Sequence, residues 1–352
     1  MTNSGRTTLA EIAREANVAI STVSKVLNGH TDVAVPTRLR IERLLAQRGY
    51  RRTPAARRAG RRAGLIDLVI DEPESVWGLS VLAGVTEVAE QSGLGLIISA
   101  AHRRTTGSRR QPETLLPRGS EGAILALSAL TDPQRTDLER RAIPFVLVDR
   151  AGHAPSSAPS VGATDFTGGY AAAEHLIGLG HHRIGMIGGP RQVPFARARV
   201  AGYQAALDSA GLAADPRLMH AGDLRHAGAV SATEELLALD DPPTAVFAAD
   251  DLQASGVYEA VRRAGRTVPG DLSVVGFGDL PFAEWMAPPL TTVREPLPEM
   301  GLTAARTLLR LVNGERLESD RVELATTLIV RASTAPLAVP NRPRADGEQR
   351  RP

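Results

Sequence analysis

Two sets of residues in this chain have side chains suited to recognition. The first is Ile20, Ser21, Thr22, Ser24 and Lys25, which helical spacing places on one outward face. Hydroxyls, methyls and an ammonium group can reach base edges, thymine methyls and phosphates in a DNA major groove. The second set is spread along the body. Asp71 follows the apolar run LIDLVI, Asp165 precedes a helical stretch and Asp250 follows AVFAA. Parallel strands would deliver such residues at their C-terminal ends, where ligands of open α/β sheets bind. Carboxylates there suit sugar hydroxyls, each of which both donates and accepts. Trp77 and Phe195 would supply stacking faces. Asp165 has a second reading as a helix cap, and Phe195 as packing.

The first set needs a helix-turn-helix. In TLAEIAREANVAISTVSKVLNG (8–29), Leu9, Ile12, Ala13 and Ala16 share one helical face, and Val23, Val26 and Leu27 share another. Asn17-Val18 lies between them: Asn tolerates the left-handed conformation of a tight turn, and Val18 can plug the joint. A third helix is expected after the loop 30–35. Pro36 would sit in its first turn, Leu39, Leu44 and Leu45 would be its apolar contacts, and Gly49 its end. Residues 51–64, RRTPAARRAGRRAG, read as an arginine-rich hinge in which Thr53-Pro54 is a helix start that forms against DNA.

Charge supports the same division. Residues 1–62 carry 13 Arg or Lys against four acids, or +9, and the last 17 residues carry +2. The whole chain is +2, so the body between them sums to −9. A basic head on an acidic body suits local binding to a polyanion without general adhesion. The absence of cysteine excludes disulfides and thiolate metal sites and fits a cytoplasmic protein. The N-terminus lacks a signal-type apolar core and no run approaches a membrane span, so neither export nor membrane attachment is expected.

From Leu65 the pattern changes to LIDLVI, LGLIIS, AILAL, FVLVD, IGMIGG, AVFAA and LSVVGF, read as buried strands. Helical stretches at 78–92, 167–179, 197–210, 225–239 and 252–264 alternate with them, which predicts doubly wound parallel α/β sheets, two rather than one. Residues 336–352 are polar and Pro-rich and read as a disordered tail. Enzyme signatures are lacking: there is no GxSxG, HExxH or P-loop, and GMIGGP lacks dinucleotide-binding spacing. His181-His182 reads as a solvated strand start, so no metal and no cofactor is expected.

The chain resembles the LacI/GalR family of bacterial transcription regulators from Thr8 to about residue 336. The head pattern matches, as do EHLIGLGHHRIGMIGGP (174–190), RARVAGYQAAL (197–207), VPGDLSVVGFGD (268–279) and PPLTTVREPLPEMG (288–301). The resemblance implies an all-α helix-turn-helix domain (1–50), a hinge (51–64) and a periplasmic-binding-protein-like core of two parallel-sheet lobes (65–335). The first lobe would span 65–178 and 295–320, the second 180–293 and 321–335. It implies a homodimer on double-stranded, palindromic operator DNA, with a small-molecule effector between the lobes. Thr8, Asn28, Thr37, Arg38, Tyr50, Arg57 and Ala59 join the DNA-contacting set on this basis, and Arg199 becomes the fork that holds the ligand. Replacing Arg199 by Ala is then expected to abolish the effector response and spare operator binding.

Four positions depart from the family pattern. Ala19 stands where Ser commonly caps the recognition helix, Lys25 where Arg is common, and Ala59 where a Leu wedge kinks DNA. Gly278 stands where an Asp contacts ligand, so either Asp279 swings in or the pocket takes a larger ligand, an oligosaccharide or glycoside. Trp285 and Phe282 follow that strand end. The expected function is a repressor of carbohydrate-utilisation genes, released by a sugar. The alternatives are a non-sugar corepressor, or a transport-type sugar-binding protein, which would need neither the basic head nor its helix-turn-helix.

Overall fold

The computed structural model describes residues 8–27, 33–48, 64–71, 75–100, 103–105, 108–110, 116, 120–127, 130–148 and 158–337. The hinge segment 49–63, with Gly49, Tyr50, Arg57 and Ala59, lies outside the described residues, as do Asn28 and 338–352.

Among the described residues, three helices form the head: α1 (Leu9–Glu15), α2 (Ile20–Leu27) and α3 (Val35–Gln47). Their shared core is Ile12, Ala13, Ala16, Val23, Val26, Val33 and Ile41, with Leu9, Val18, Leu27, Leu44 and Leu45 packed around it. The expected turn is present, with Asn17 at φ 51°. The third helix differs from expectation in one contact. Leu39 is 51% exposed, and Ile41, fully buried, takes its place, because the helix turns its 41/44/45 face inward. Thr8 and Glu11 cap α1 reciprocally: Thr8 Oγ1 accepts from Glu11 N and Glu11 Oε2 from Thr8 N (2.8 Å). That backbone donor holds the Glu11 carboxyl below its usual range.

The body continues as β1 (Leu65–Ile70), α4 (Val76–Gln91), β2 (Gly95–Ala100), β3 (Arg103–Thr105), β4 (Ser108–Arg110), β5 (Ala123–Ala126), α5 (Asp132–Arg140), β6 (Phe145–Val148) and β7 (Ser160–Ala163). After that come α6 (Asp165–Gly178), β8 (Ile184–Ile187), α7 (Pro194–Ser209), β9 (Met219–His220), α8 (His226–Leu237), β10 (Ala245–Ala248), α9 (Asp251–Arg263), β11 (Ser273–Gly278) and β12 (Thr291–Arg294). The last elements among the described residues are α10 (Leu297–Val312), β13 (Arg321–Leu324) and β14 (Thr327–Ile329). One sheet has the order β13-β7-β6-β5-β1-β2 and the other β14-β12-β11-β10-β8-β9. Every pair in both is parallel except β12 with β14, and β3 and β4 form a separate antiparallel pair. Strands β5, β8 and β10 are buried at every residue, as continuous apolar runs in covered parallel sheets should be.

Two compact units result, 1–163 with 296–324 and 164–295 with 325–352. The expected lobe boundaries are corrected at two places. Helix α6 belongs to the second unit, not the first. It lies so close to α7 that a Cβ at Gly169 would collide with the Arg199 backbone, and one at Gly202 with the Phe166 carbonyl. Strand β13 belongs to the first sheet, where Arg321–Leu324 pairs in parallel with β7. The tail begins later than expected. His181 Nε2 donates to Ala335 O (3.0 Å) and Leu337 N to Leu179 O (2.9 Å), so the chain is anchored through Leu337. His181 is therefore no solvated strand start: it is 3% exposed, and its Nδ1 pairs with Thr244 Oγ1 at 2.9 Å.

Candidate functional site

The head presents one side of α2 outward. Val23 and Val26 are buried, whereas Ile20, Ser21 and Lys25 are exposed and Thr22 and Ser24 half-buried. Ala19, just before the helix, contributes its carbonyl to Thr22 N (2.9 Å) but has no hydroxyl to cap with. Thr37 is half-buried near the start of α3, and Arg38 Nη2 donates to Val33 O at 3.4 Å. Thr8, expected against DNA, uses its side chain to cap α1. Glu15 and Arg48 tie α1 to the end of α3 at 3.0 Å.

The second unit gathers its charged groups around Arg199. This side chain is 4% exposed on α7. Its Nε donates to Asp165 Oδ1 (2.7 Å), Nη1 to Ala249 O (2.9 Å) and Nη2 to Glu295 Oε2 (3.0 Å). Nη2 also lies 2.7 Å from Asp165 Oδ1. The guanidinium stacks 3.6 Å from the Phe277 ring centre and 4.8 Å from that of Phe195. Burial alone would lower its pKa, but Asp165, Glu295 and Asp250 outweigh that and hold it above the usual arginine range. Each partner comes from a different strand end: Asp165 after β7, Ala249 and Asp250 after β10, Phe277 in β11, Glu295 after β12. The fold thus converges them by topology, as the strand-end pattern implied for Asp165 and Asp250 and the family resemblance for Arg199.

Other expected residues fare differently. Asp250 caps α9, its Oδ1 accepting from Leu252 N (2.7 Å) and Gln253 N (3.1 Å), and it contributes charge to the Arg199 cluster. Phe195 is buried as a ring under Arg199. Asp71 and Trp77 belong to the first unit, Trp77 buried at the start of α4. Asp279 does not swing toward Arg199. Its Oδ2 accepts from Arg294 Nε (2.7 Å) and its Oδ1 from Arg331 Nη2 (2.6 Å). Nor is Gly278 only a source of room, since it sits at φ 129° and a Cβ there would lie 3.4 Å from Asp251 Oδ2. Trp285 is 77% exposed, outside the cluster.

Glu295 and Asp251 were not among the expected residues. Glu295 directly follows β12, whose Thr291, Thr292 and Val293 are buried, a signal open to the rule applied to Asp71 and Asp250. Asp251 is fully buried, accepting from Thr292 Oγ1 (2.5 Å) and Leu280 N (2.7 Å), and burial pushes its carboxyl up to about 7. No group of His, Asp or Glu among the described residues could hold a metal ion, and no described helix is long and apolar enough to cross a membrane.

Residues 8–53 match the description "Bacterial regulatory proteins, lacI family", and residues 173–334 match "Periplasmic binding protein-like domain". The chain is 30% identical over 333 residues to the HTH-type transcriptional repressor CytR of Escherichia coli, covering 94% of this chain and 97% of that one. It is similar to the solved complex of the transcriptional regulator CelR with cellobiose (TM-score 0.69, 30% identity, 93% and 100% coverage). It also matches the lac repressor dimer bound to operator and the anti-inducer ONPF (TM-score 0.67, 26% identity, 94% and 100% coverage). A helix-turn-helix head and two parallel α/β units, matched over nearly the whole length, make this chain a member of the lacI family of bacterial regulatory proteins.

Proposed function

We propose that this protein is a ligand-responsive repressor that binds a palindromic operator as a homodimer and releases it when a carbohydrate binds. The observation that carries this reading is the pairing of an outward α2 face with a convergent charged cluster at the strand ends of the second unit. A protein with one task would need only one of them.

On this reading Ile20, Ser21, Thr22, Ser24 and Lys25 read bases and phosphates, helped by Thr37 and Arg38 and, from the segment outside the described residues, by Asn28, Tyr50, Arg57 and Ala59. Thr8 acts by fixing α1. Asp165, Arg199, Asp250 and Glu295 form the polar part of the effector site, over the rings of Phe195 and Phe277. The relative solved in complex with cellobiose supports a carbohydrate as ligand class. Two recognition helices on a palindrome require a second copy. The exposed Trp285, on a segment tied to Asp251 and Arg331 through Leu280 N and Leu290 O, offers that copy an apolar anchor.

Selection of DNA from a random pool with the purified full-length protein tests this directly. A two-fold symmetric site, released by a member of a sugar panel, is expected. A pool that yields no palindrome would refute the regulator reading.

A further inference from the structure

Three features of the second unit bear on the ligand that the Arg199 cluster takes. First, the guanidinium has no edge left for an anion. A bidentate clamp on phosphate or carboxylate needs two adjacent N–H groups. Here Nε and Nη2 are committed to Asp165 and Glu295, Nη1 donates to Ala249 O, and Phe277 covers one face at 3.6 Å. Second, the formal charge is negative: Asp165, Asp250 and Glu295 oppose Arg199 alone, leaving −2. Beside β12 and β14, the basic side chains Arg294 and Arg331 are paired with Asp279.

Third, Gln253, fully buried one turn into the helix that Asp250 caps, has an unsatisfied acceptor. Its Nε2 donates to Gly188 O at 2.8 Å, while its Oε1 has no hydrogen-bond partner. The amide cannot simply flip, because Oε1 would then face the Gly188 carbonyl. A buried acceptor without a donor costs free energy that an incoming hydroxyl or ammonium group would recover.

We propose that this site selects polyhydroxylated ligands that are neutral or positively charged and rejects phosphorylated or carboxylated ones, with Glu295 as the specificity-determining residue. The inference rests on the effector-site reading above and adds the sign of charge the site accepts. By closing the Nη2 side of Arg199, Glu295 converts a side chain that would clamp an anion into one that holds carboxylates in place. The ligand then meets acceptors and must bring donors. Replacing Glu295 by Gln removes one negative charge at the guanidinium and weakens the hold on that edge.

The test uses the purified full-length protein against a library of neutral, amino, carboxylated and phosphorylated sugars and nucleosides, by thermal shift and then calorimetry. Binders without negative charge are expected. The phosphorylated counterpart of the best binder should be at least about 100-fold weaker, the order expected for a unit charge repelled at short range. Glu295→Gln should narrow that ratio at least about tenfold, and Asp165→Asn is the second variant should the first not fold. An anion that binds the wild type as tightly as its neutral counterpart would overturn the proposal, as would a ratio unchanged in both folded variants. A neutral binder that is not a carbohydrate would sink the sugar reading and leave the charge rule standing. A library without a binder would overturn both.

Discussion

Arg199→Ala is expected to do more than blind the protein to its effector. In the folded second unit the guanidinium is the shared counter-ion of Asp165 and Glu295, all three less than a tenth exposed. Removing one partner of a buried ionic cluster leaves uncompensated charge and costs about 3–5 kcal/mol. Lost stacking on Phe277 and Phe195 adds about 1 kcal/mol. For a unit of this size each kcal/mol moves Tm by about 2–4 °C, so the transition of this unit should fall by roughly 8–24 °C. Differential scanning calorimetry of the full-length protein measures it, with the first unit as internal reference. Below the lowered transition the variant should bind operator and ignore effector; above it, both functions should go. A variant carrying Arg199→Met, Asp165→Asn and Glu295→Gln should recover most of the loss, because the charges leave together. The reasoning fails if the single variant lies within about 1 kcal/mol of wild type, or if the triple variant is as unstable as the single one.

Three further outcomes follow from the same geometry. Asp251 is raised to about 7 by burial, whereas its unfolded value is near 3.9, so the folded state holds a proton the unfolded state has lost as pH rises from about 4 to 7. Stability should therefore fall across that window and level off above it, and Asp251→Asn should flatten this part of the profile in equilibrium denaturation at pH 5 and pH 8. Gly278→Asp, which restores the commoner family residue, should destabilise by about 1–3 kcal/mol rather than add a ligand contact, since φ 129° is strained for any side chain and Asp251 lies alongside. Its denaturation midpoint decides this; a variant as stable as wild type contradicts the backbone argument. Lys25→Glu should abolish specific operator binding in gel shifts without changing Tm, because Lys25 is exposed on the outward face of α2. Retained specific binding would remove that face from the DNA interface.

The sequence was most readable where one physical signal dominated. Runs such as AILAL and AVFAA, apolar throughout and alternating with helical stretches, read as buried parallel strands, and β5 and β10 are buried at every residue. Asn17 declared its turn because few residues accept φ near 51°. Helix α5, DPQRTDLER, was not read because only Gln134 and Leu138 turn inward, too few to set a period. Edge strands β13 and β14 alternate or face outward, so their pairing is decided by the sheet they join rather than by their own composition. At the site, composition found Asp165 and Asp250 at strand ends, and resemblance found Arg199. It could not show that Arg294 and Arg331 would capture Asp279, a competition settled only by three-dimensional proximity.

The close approach of α6 and α7 has a consequence for how the binding function can be lost. Gly169 faces the backbone of Arg199 itself, and Gly202 faces that of Phe166, the neighbour of Asp165. The distance between the two halves of the ion pair is therefore gauged by hydrogen atoms on two glycines that have no polar side chain. A single added methyl at Gly169 would shift Arg199 along its helix and misalign every partner at once. On the function proposed above, a genetic screen for variants that keep operator binding but lose the effector response should thus return substitutions at Gly169 and Gly202 alongside those at the charged residues.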